Sequence, residues 1–207
     1  MRYTTLSGFQ GPLSQIGLGT WPFADDAWGK IDEKTCLDTI FAALDAGINV
    51  IDTAPFYGLG RVEEIVGKAL KGRRDNVFLA TKFGLIKEGK SIKKNSRPES
   101  IRTELEASLK RLGTETIDLY QIHWPDPKTP FEETLEETSK FFAEGKIKSL
   151  GVCNFDLDLL KKIRGLSPIA TLQNQYSLLK PQDENHILPY CHAEKMGYLA
   201  YGSLGGG

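Results

Sequence analysis

Along the whole chain, short apolar runs rich in β-branched residues alternate with longer amphipathic stretches. This one pattern restricts the fold more than any other feature, because strand-length and helix-length segments in regular alternation are what βαβ units built on a parallel sheet require. Strands are predicted at Ser14 to Gly19, Ile48 to Asp52, Val77 to Thr81, Ile117 to Ile122, Ser149 to Val152, Thr171 to Gln175 and Tyr198 to Tyr201. Helices are predicted at Glu33 to Ala46, Val62 to Leu70, Pro98 to Leu112, Phe131 to Glu144, Leu157 to Ile163 and Glu184 to Met196. Asp32 and Asp156 read as N-caps, Gly47 and Gly113 as residues past a helix end, and Lys110 and Arg111 as a basic last turn.

Parallel strands are joined by right-handed crossovers, and regular repetition of the unit closes into a TIM-type (β/α)8 barrel of roughly 250 residues. The chain has 207 residues, seven strand candidates and a Gly205-Gly206-Gly207 end. The expectation is one domain over residues 1 to 207, an α/β barrel lacking its last helices and eighth strand.

Composition excludes several classes. The formal net charge is −1 and the longest basic cluster is Lys90, Lys93 and Lys94, which does not supply the cationic footprint of a nucleic-acid binder. No apolar run is long enough to span a bilayer, and Met1 to Gln10 has no signal-peptide core. The three scattered cysteines, Cys36, Cys153 and Cys191, suit reduced thiols, so a cytoplasmic location is expected. Three partial motifs lead nowhere. Gly58-Leu59-Gly60 has Glu63 where a dinucleotide fingerprint has its third glycine. Tyr201 replaces the first glycine of a nucleophile elbow. His186, Cys191 and His192 do not share a helix face, so no metal is expected.

In parallel barrels chemistry sits at the C-terminal ends of the strands. Asp52, Lys82 and His123 stand at three such ends, with Asn154 and Gln173 on later strands and Tyr57 on the loop after Asp52. Alternation puts Gln121 and Leu119 on the face of His123, and turns Ile122, Tyr120 and Asp118 toward the helices, which makes Asp118 structural. A phenol titrating near 10 is a poor acid at neutral pH. Lys82 beside Tyr57 is expected to lower that value, with Asp52 holding Lys82 charged. Without further context, Asp52 and Lys82 read equally well as a structural ion pair.

The ordered segments G-L-G-T-W (Gly17 to Trp21), I-D-T-A-P-F-Y-G (Ile51 to Gly58), E-I-V-G-K-A-L (Glu64 to Leu70), A-T-K (Ala80 to Lys82), L-K-R-L-G-T-E-T-I-D-L-Y-Q-I-H-W-P (Leu109 to Pro125) and G-V-C-N-F (Gly151 to Phe155) supply that context. With them the chain resembles the aldo-keto reductases over nearly its whole length. The resemblance implies reduction of an aldehyde or ketone by NADPH, with NADH as the alternative. It implies Tyr57 as general acid, Asp52 and Lys82 tuning it, and His123 orienting the carbonyl. Thr20, Trp21, Asp52, Cys153, Asn154, Gln173, Tyr201, Gly202, Ser203 and Leu204 are implied at the cofactor, with Asn154 and Gln173 on its carboxamide and Tyr201 stacked on its ring. Trp21, Phe56 and Trp124 are implied in the substrate pocket, although rim aromatics also serve as plain packing. Cys153 stands where the family more often has serine. The implied partner is a small carbonyl compound, with neither nucleic acid nor membrane, and the oligomeric state is not readable. The alternative is a regulatory subunit of the same fold, like the potassium-channel β subunits, that binds cofactor and a protein partner.

Overall fold

The computed structural model describes residues 1–6, 11–25, 29–89 and 91–205. Lys90, Gly206, Gly207 and part of the Met1 to Gln10 segment lie outside the described residues.

At the base, β1 (Tyr3–Thr4) and β2 (Leu13–Ser14) pair antiparallel. Then come β3 (Leu18–Gly19), α1 (Glu33–Asp45), β4 (Val50–Asp52), α2 (Arg61–Leu70) and β5 (Phe78–Phe83). An antiparallel hairpin follows, β6 (Leu85–Glu88) with β7 (Ser91–Lys94). The chain continues through α3 (Pro98–Leu112), β8 (Leu119–Ile122), α4 (Phe131–Ala143), β9 (Leu150–Cys153), α5 (Leu157–Arg164), β10 (Thr171–Gln175), α6 (Ile187–Ala193) and β11 (Gly197–Tyr201). Seven parallel strands, β3, β4, β5, β8, β9, β10 and β11, hydrogen-bond in chain order and curve into a nearly closed barrel with the helices outside.

Local chemistry explains the elements. Asp32 and Asp156 accept from the backbone N–H of Thr35 and Leu159, at 2.9 and 2.8 Å, and Gly113 closes α3 in the left-handed region at φ 63°. The apolar stripe of α2, Val62, Ile65, Val66 and Ala69, is buried at helical spacing. Gly67 permits its close packing: a Cβ there would lie 2.5 Å from the carbonyl oxygen of Arg111 on α3.

The barrel interior holds a small cluster of Val50, Phe78, Ala80 and Leu119, while the larger core lies between sheet and helices. Strand parity falls as alternation requires. Tyr120 packs outward between Phe83 and Phe141. Asp118 accepts from Arg74, Lys148 and the Leu79 N–H, a structural knot at the barrel base.

Three elements depart from expectation. The strand predicted at Ser14 to Gly19 is split, because the Ser14 hydroxyl donates to Ile16 O and Ser14 also exchanges hydrogen bonds with Asn49, turning the chain between β2 and β3. The helix predicted from Glu184 breaks at His186 (φ −136°) into a 3-10 turn, Gln182–Asn185, and α6, since Pro189 fits only in a first helical turn. The β6–β7 hairpin was not anticipated.

Candidate active site

Asp52, Lys82 and His123 come from the C-terminal ends of three adjacent strands, and Tyr57 opens a 3-10 turn, Tyr57–Gly60, immediately above them. That turn has left-handed backbone at Gly58 and Leu59 and reaches Gly60 at φ 96°, which reverses the chain into α2. Its neighbour, Arg61, is bonded to Phe23 O, Ile31 O and Asp25, tying the turn to the segment after β3.

The four predicted residues converge. Lys82 is fully buried, and its ammonium donates to Asp52 Oδ2 at 2.6 Å, Thr53 O at 3.0 Å and the Tyr57 hydroxyl oxygen at 3.2 Å. An ammonium has three donors and no acceptor. All three are therefore used, and the Tyr57 proton must point away from Lys82, toward the mouth. The His123 ring stands edge-on to Tyr57, with centroids 5.9 Å apart.

Asp52 is pinned on every side. Its Oδ1 accepts from Gln173 at 2.9 Å and Gln121 at 3.2 Å, and its backbone carbonyl accepts from the Thr20 hydroxyl at 2.9 Å. Thr20 thus turns its hydroxyl inward to Asp52. Gln121 was assigned only an inward orientation by the sequence. Its contact depends on register, since Lys82 pairs with Gln121 across β5 and β8.

Electrostatics separate the groups. Burial lowers the Lys82 pKa, but Asp52 and then Tyr57 more than reverse this and leave the ammonium firmly charged. Burial and the adjacent Lys82 hold His123 neutral, with its pKa lowered to about 2. Tyr57 departs from expectation: its pKa is pushed up to about 12, because burial, aided by the Asp52 charge, outweighs the opposing effect of Lys82. The phenol is a proton-loaded acid at neutral pH.

Apart from Thr20, Trp21 and Asp52, the cofactor candidates lie on or just after β9, β10 and β11. Asn154, held at φ 62°, donates to His123 O at 2.9 Å and accepts from the Tyr201 hydroxyl at 2.7 Å, so it links the ends of three strands. Cys153 is buried as a neutral thiol, its pKa raised by burial, and reaches Gln173 Oε1 only at 3.8 Å. The side-chain carbonyls of Gln173 and Asn154 each keep acceptor capacity. Such acceptors fit the NH2 group of a primary carboxamide. Gly202, Ser203 and Leu204 form an exposed turn after β11.

Trp21 stacks on Tyr57 with ring centroids 6.4 Å apart. Phe56 is half-buried on the adjoining loop. Trp124 lies at the rim, with the Lys94 ammonium 5.2 Å from its ring centroid. The hairpin therefore touches the mouth, which its L-I-K-E and S-I-K-K segments did not advertise. His186 and His192 are exposed and Cys191 is buried, and no metal-binding cluster occurs among the described residues.

The profile of the Aldo/keto reductase family matches residues 15–207. Aldo-keto reductase YhdN of Bacillus subtilis is 47% identical over 206 residues, covering 99% of this chain and 62% of its own length. The NADH-specific methylglyoxal reductase of Escherichia coli is 40% identical over 208 residues, covering 93% of this chain and 64% of its own length. The solved structure of glycerol dehydrogenase AKR11B4 from Gluconobacter oxydans superposes with a TM-score of 0.88 at 45% identity, over 97% of this chain and 63% of that one. The chain thus spans less than two thirds of these relatives. By sequence and by fold it belongs to the aldo/keto reductase family.

Proposed function

We propose that the protein reduces an aldehyde or ketone to the alcohol with a reduced nicotinamide dinucleotide, NADPH or, as in the Escherichia coli relative, NADH. The observation that carries this reading is the buried Lys82 ammonium, which donates to both Asp52 and the Tyr57 phenol at one strand-end cluster. Gln173 and Asn154 would hold the carboxamide, and the Tyr201 ring, tethered by its hydroxyl to Asn154, would face the nicotinamide. When bound, the cofactor supplies the hydride that adds to the carbonyl carbon.

The protein's own residues handle the oxygen. Neutral His123 offers an N–H to the carbonyl oxygen and orients it. As negative charge grows there, Tyr57 gives up its proton, and the alcohol is complete. The phenolate left behind is stabilised by Lys82 at 3.2 Å, which Asp52 keeps in place. A phenol raised to about 12 remains a stronger acid than the alcohol formed when it protonates the alkoxide, so the transfer is downhill. Trp21, Phe56 and Trp124 give the approach an apolar lining suited to a small carbonyl compound. Among the described residues, no helix is long and apolar enough to cross a membrane.

The test is titration of NADPH and NADH by fluorescence, followed by addition of 4-nitrobenzaldehyde. Saturable binding with cofactor oxidation is expected. Tyr57→Phe should retain cofactor affinity and lose turnover by at least about 100-fold. Turnover near the parent rate in that variant would remove Tyr57 from its role, and binding without turnover in the parent would point to a regulatory subunit.

A further inference from the structure

The Lys82 to Tyr57 distance is set by two separate pieces of chain, β5 and the 3-10 turn, and one buried carboxylate on α2 reaches toward both. Glu63 is completely inaccessible to solvent. Its Oε1 accepts from the Thr81 hydroxyl at 2.7 Å, and its Oε2 accepts from Ser108 at 3.2 Å and from Arg111 Nε at 2.8 Å. Thr81 is the residue immediately before Lys82, on the opposite face of β5. The same Arg111 side chain lies directly against Gly60, the last residue of the turn that Tyr57 begins, where a Cβ would sit 2.8 Å from Arg111 Cδ. A second grip lies on the other side of Lys82: Glu104 of α3 accepts from the Gly84 N–H with both oxygens, at 3.1 and 3.2 Å.

We infer that Glu63 is a positioning residue for the reaction proposed above, fixing Thr81 and Arg111 together so that β5 and the Tyr57 turn hold the ammonium and the phenol at hydrogen-bonding distance. Burying a carboxylate and a guanidinium costs desolvation that an apolar pair of similar volume avoids, so stability alone does not account for charge at this depth. Its geometry does: the acid spans the two segments whose separation the chemistry needs fixed. An error on the order of 1 Å at such a site is worth about 100-fold in rate.

The inference rests on the proposed reduction, and its test separates the two. Removing Glu63 outright would strand Arg111 and threaten folding, so the informative change is Thr81→Val, which deletes the hydroxyl and keeps the shape, with Thr81→Ser as the rescue. The expected result for Thr81→Val is a fall in kcat of about 10-fold with cofactor Kd and carbonyl KM within about 2-fold, restored by Thr81→Ser. The second readout needs no turnover. In protein labelled with 15N-lysine, the ammonium resonance assigned to Lys82 by its loss in Lys82→Met should shift or broaden in Thr81→Val and return in Thr81→Ser. An unchanged Lys82 resonance in folded Thr81→Val overturns the inference, whatever the rate does. A parent protein that binds cofactor without turnover refutes the reduction, and the resonance still decides the positioning.

Discussion

His123 offers a prediction whose size follows from thermodynamic linkage alone. Burial and the neighbouring Lys82 lower its pKa from 6.5 to about 2 in the folded protein. An unfolded chain takes up a proton below the ordinary value while the folded one does not. His123 therefore imposes no penalty above pH 6.5 and costs progressively more stability as the pH falls toward the folded value. Between about pH 7.5 and about pH 5 the difference amounts to roughly 2 kcal/mol, since each unit below 6.5 is worth about 1.4 kcal/mol. His123→Asn removes the titration. Its intrinsic destabilisation is common to both conditions and cancels when urea unfolding free energies of parent and variant are compared at the two pH values. The parent should lose roughly 2 kcal/mol more than the variant on acidification. Equal losses would mean that the imidazole is solvated and free to protonate, and the neutral N–H assigned to carbonyl orientation would fall with it.

Two further substitutions probe the scaffold. Burial raises the Glu104 carboxyl to about 8, so the folded state retains a proton that the unfolded chain releases, and stability is full below about 4.5 and lost as the pH rises through 8. Glu104→Gln should flatten that alkaline loss, gaining about 2 kcal/mol on the parent between pH 5 and pH 9 after allowance for the residue's partial exposure; parallel stability profiles would refute it. Gly67→Ala places a Cβ 2.5 Å from the Arg111 carbonyl oxygen, so despite better helix propensity it should cost about 2 kcal/mol in urea unfolding, and a stabilised variant would show that α2 and α3 can separate freely.

Much of this molecule is legible residue by residue, and where legibility stops is instructive. Strand alternation correctly placed Asp118 outside and Gln121 inside, because a period of two admits no compromise once His123 faces the mouth. It did not identify Gln121 as a donor to Asp52, since that contact depends on the stagger between β4, β5 and β8, a property of the sheet rather than of any segment. The Tyr57 shift is opposite in sign to the one its lysine neighbour implies, for a related reason. Proximity of a lysine is visible in the motif, whereas the depth at which both groups lie is not, and depth dominates. The hairpin escaped notice because Leu85–Glu88 and Ser91–Lys94 carry lysines on both faces and bury little.

Glu63 carries its own signal in the sequence. It interrupts the apolar stripe of α2 between Val62 and Val66, where an acid on the buried face requires partners from elsewhere in the chain. Thr81 and Arg111 supply them, from a strand and a helix well separated in sequence. A buried acid in an otherwise apolar stripe thus carries information about long-range geometry that periodicity discards. Here it points to the two segments whose spacing sets the distance from Lys82 to Tyr57. The polar layer behind the barrel wall and the polar cluster within its mouth are then linked: strain introduced at Gly60 would reach β5, and strain at Thr81 would reach the Tyr57 turn, through Glu63 and its partner Arg111.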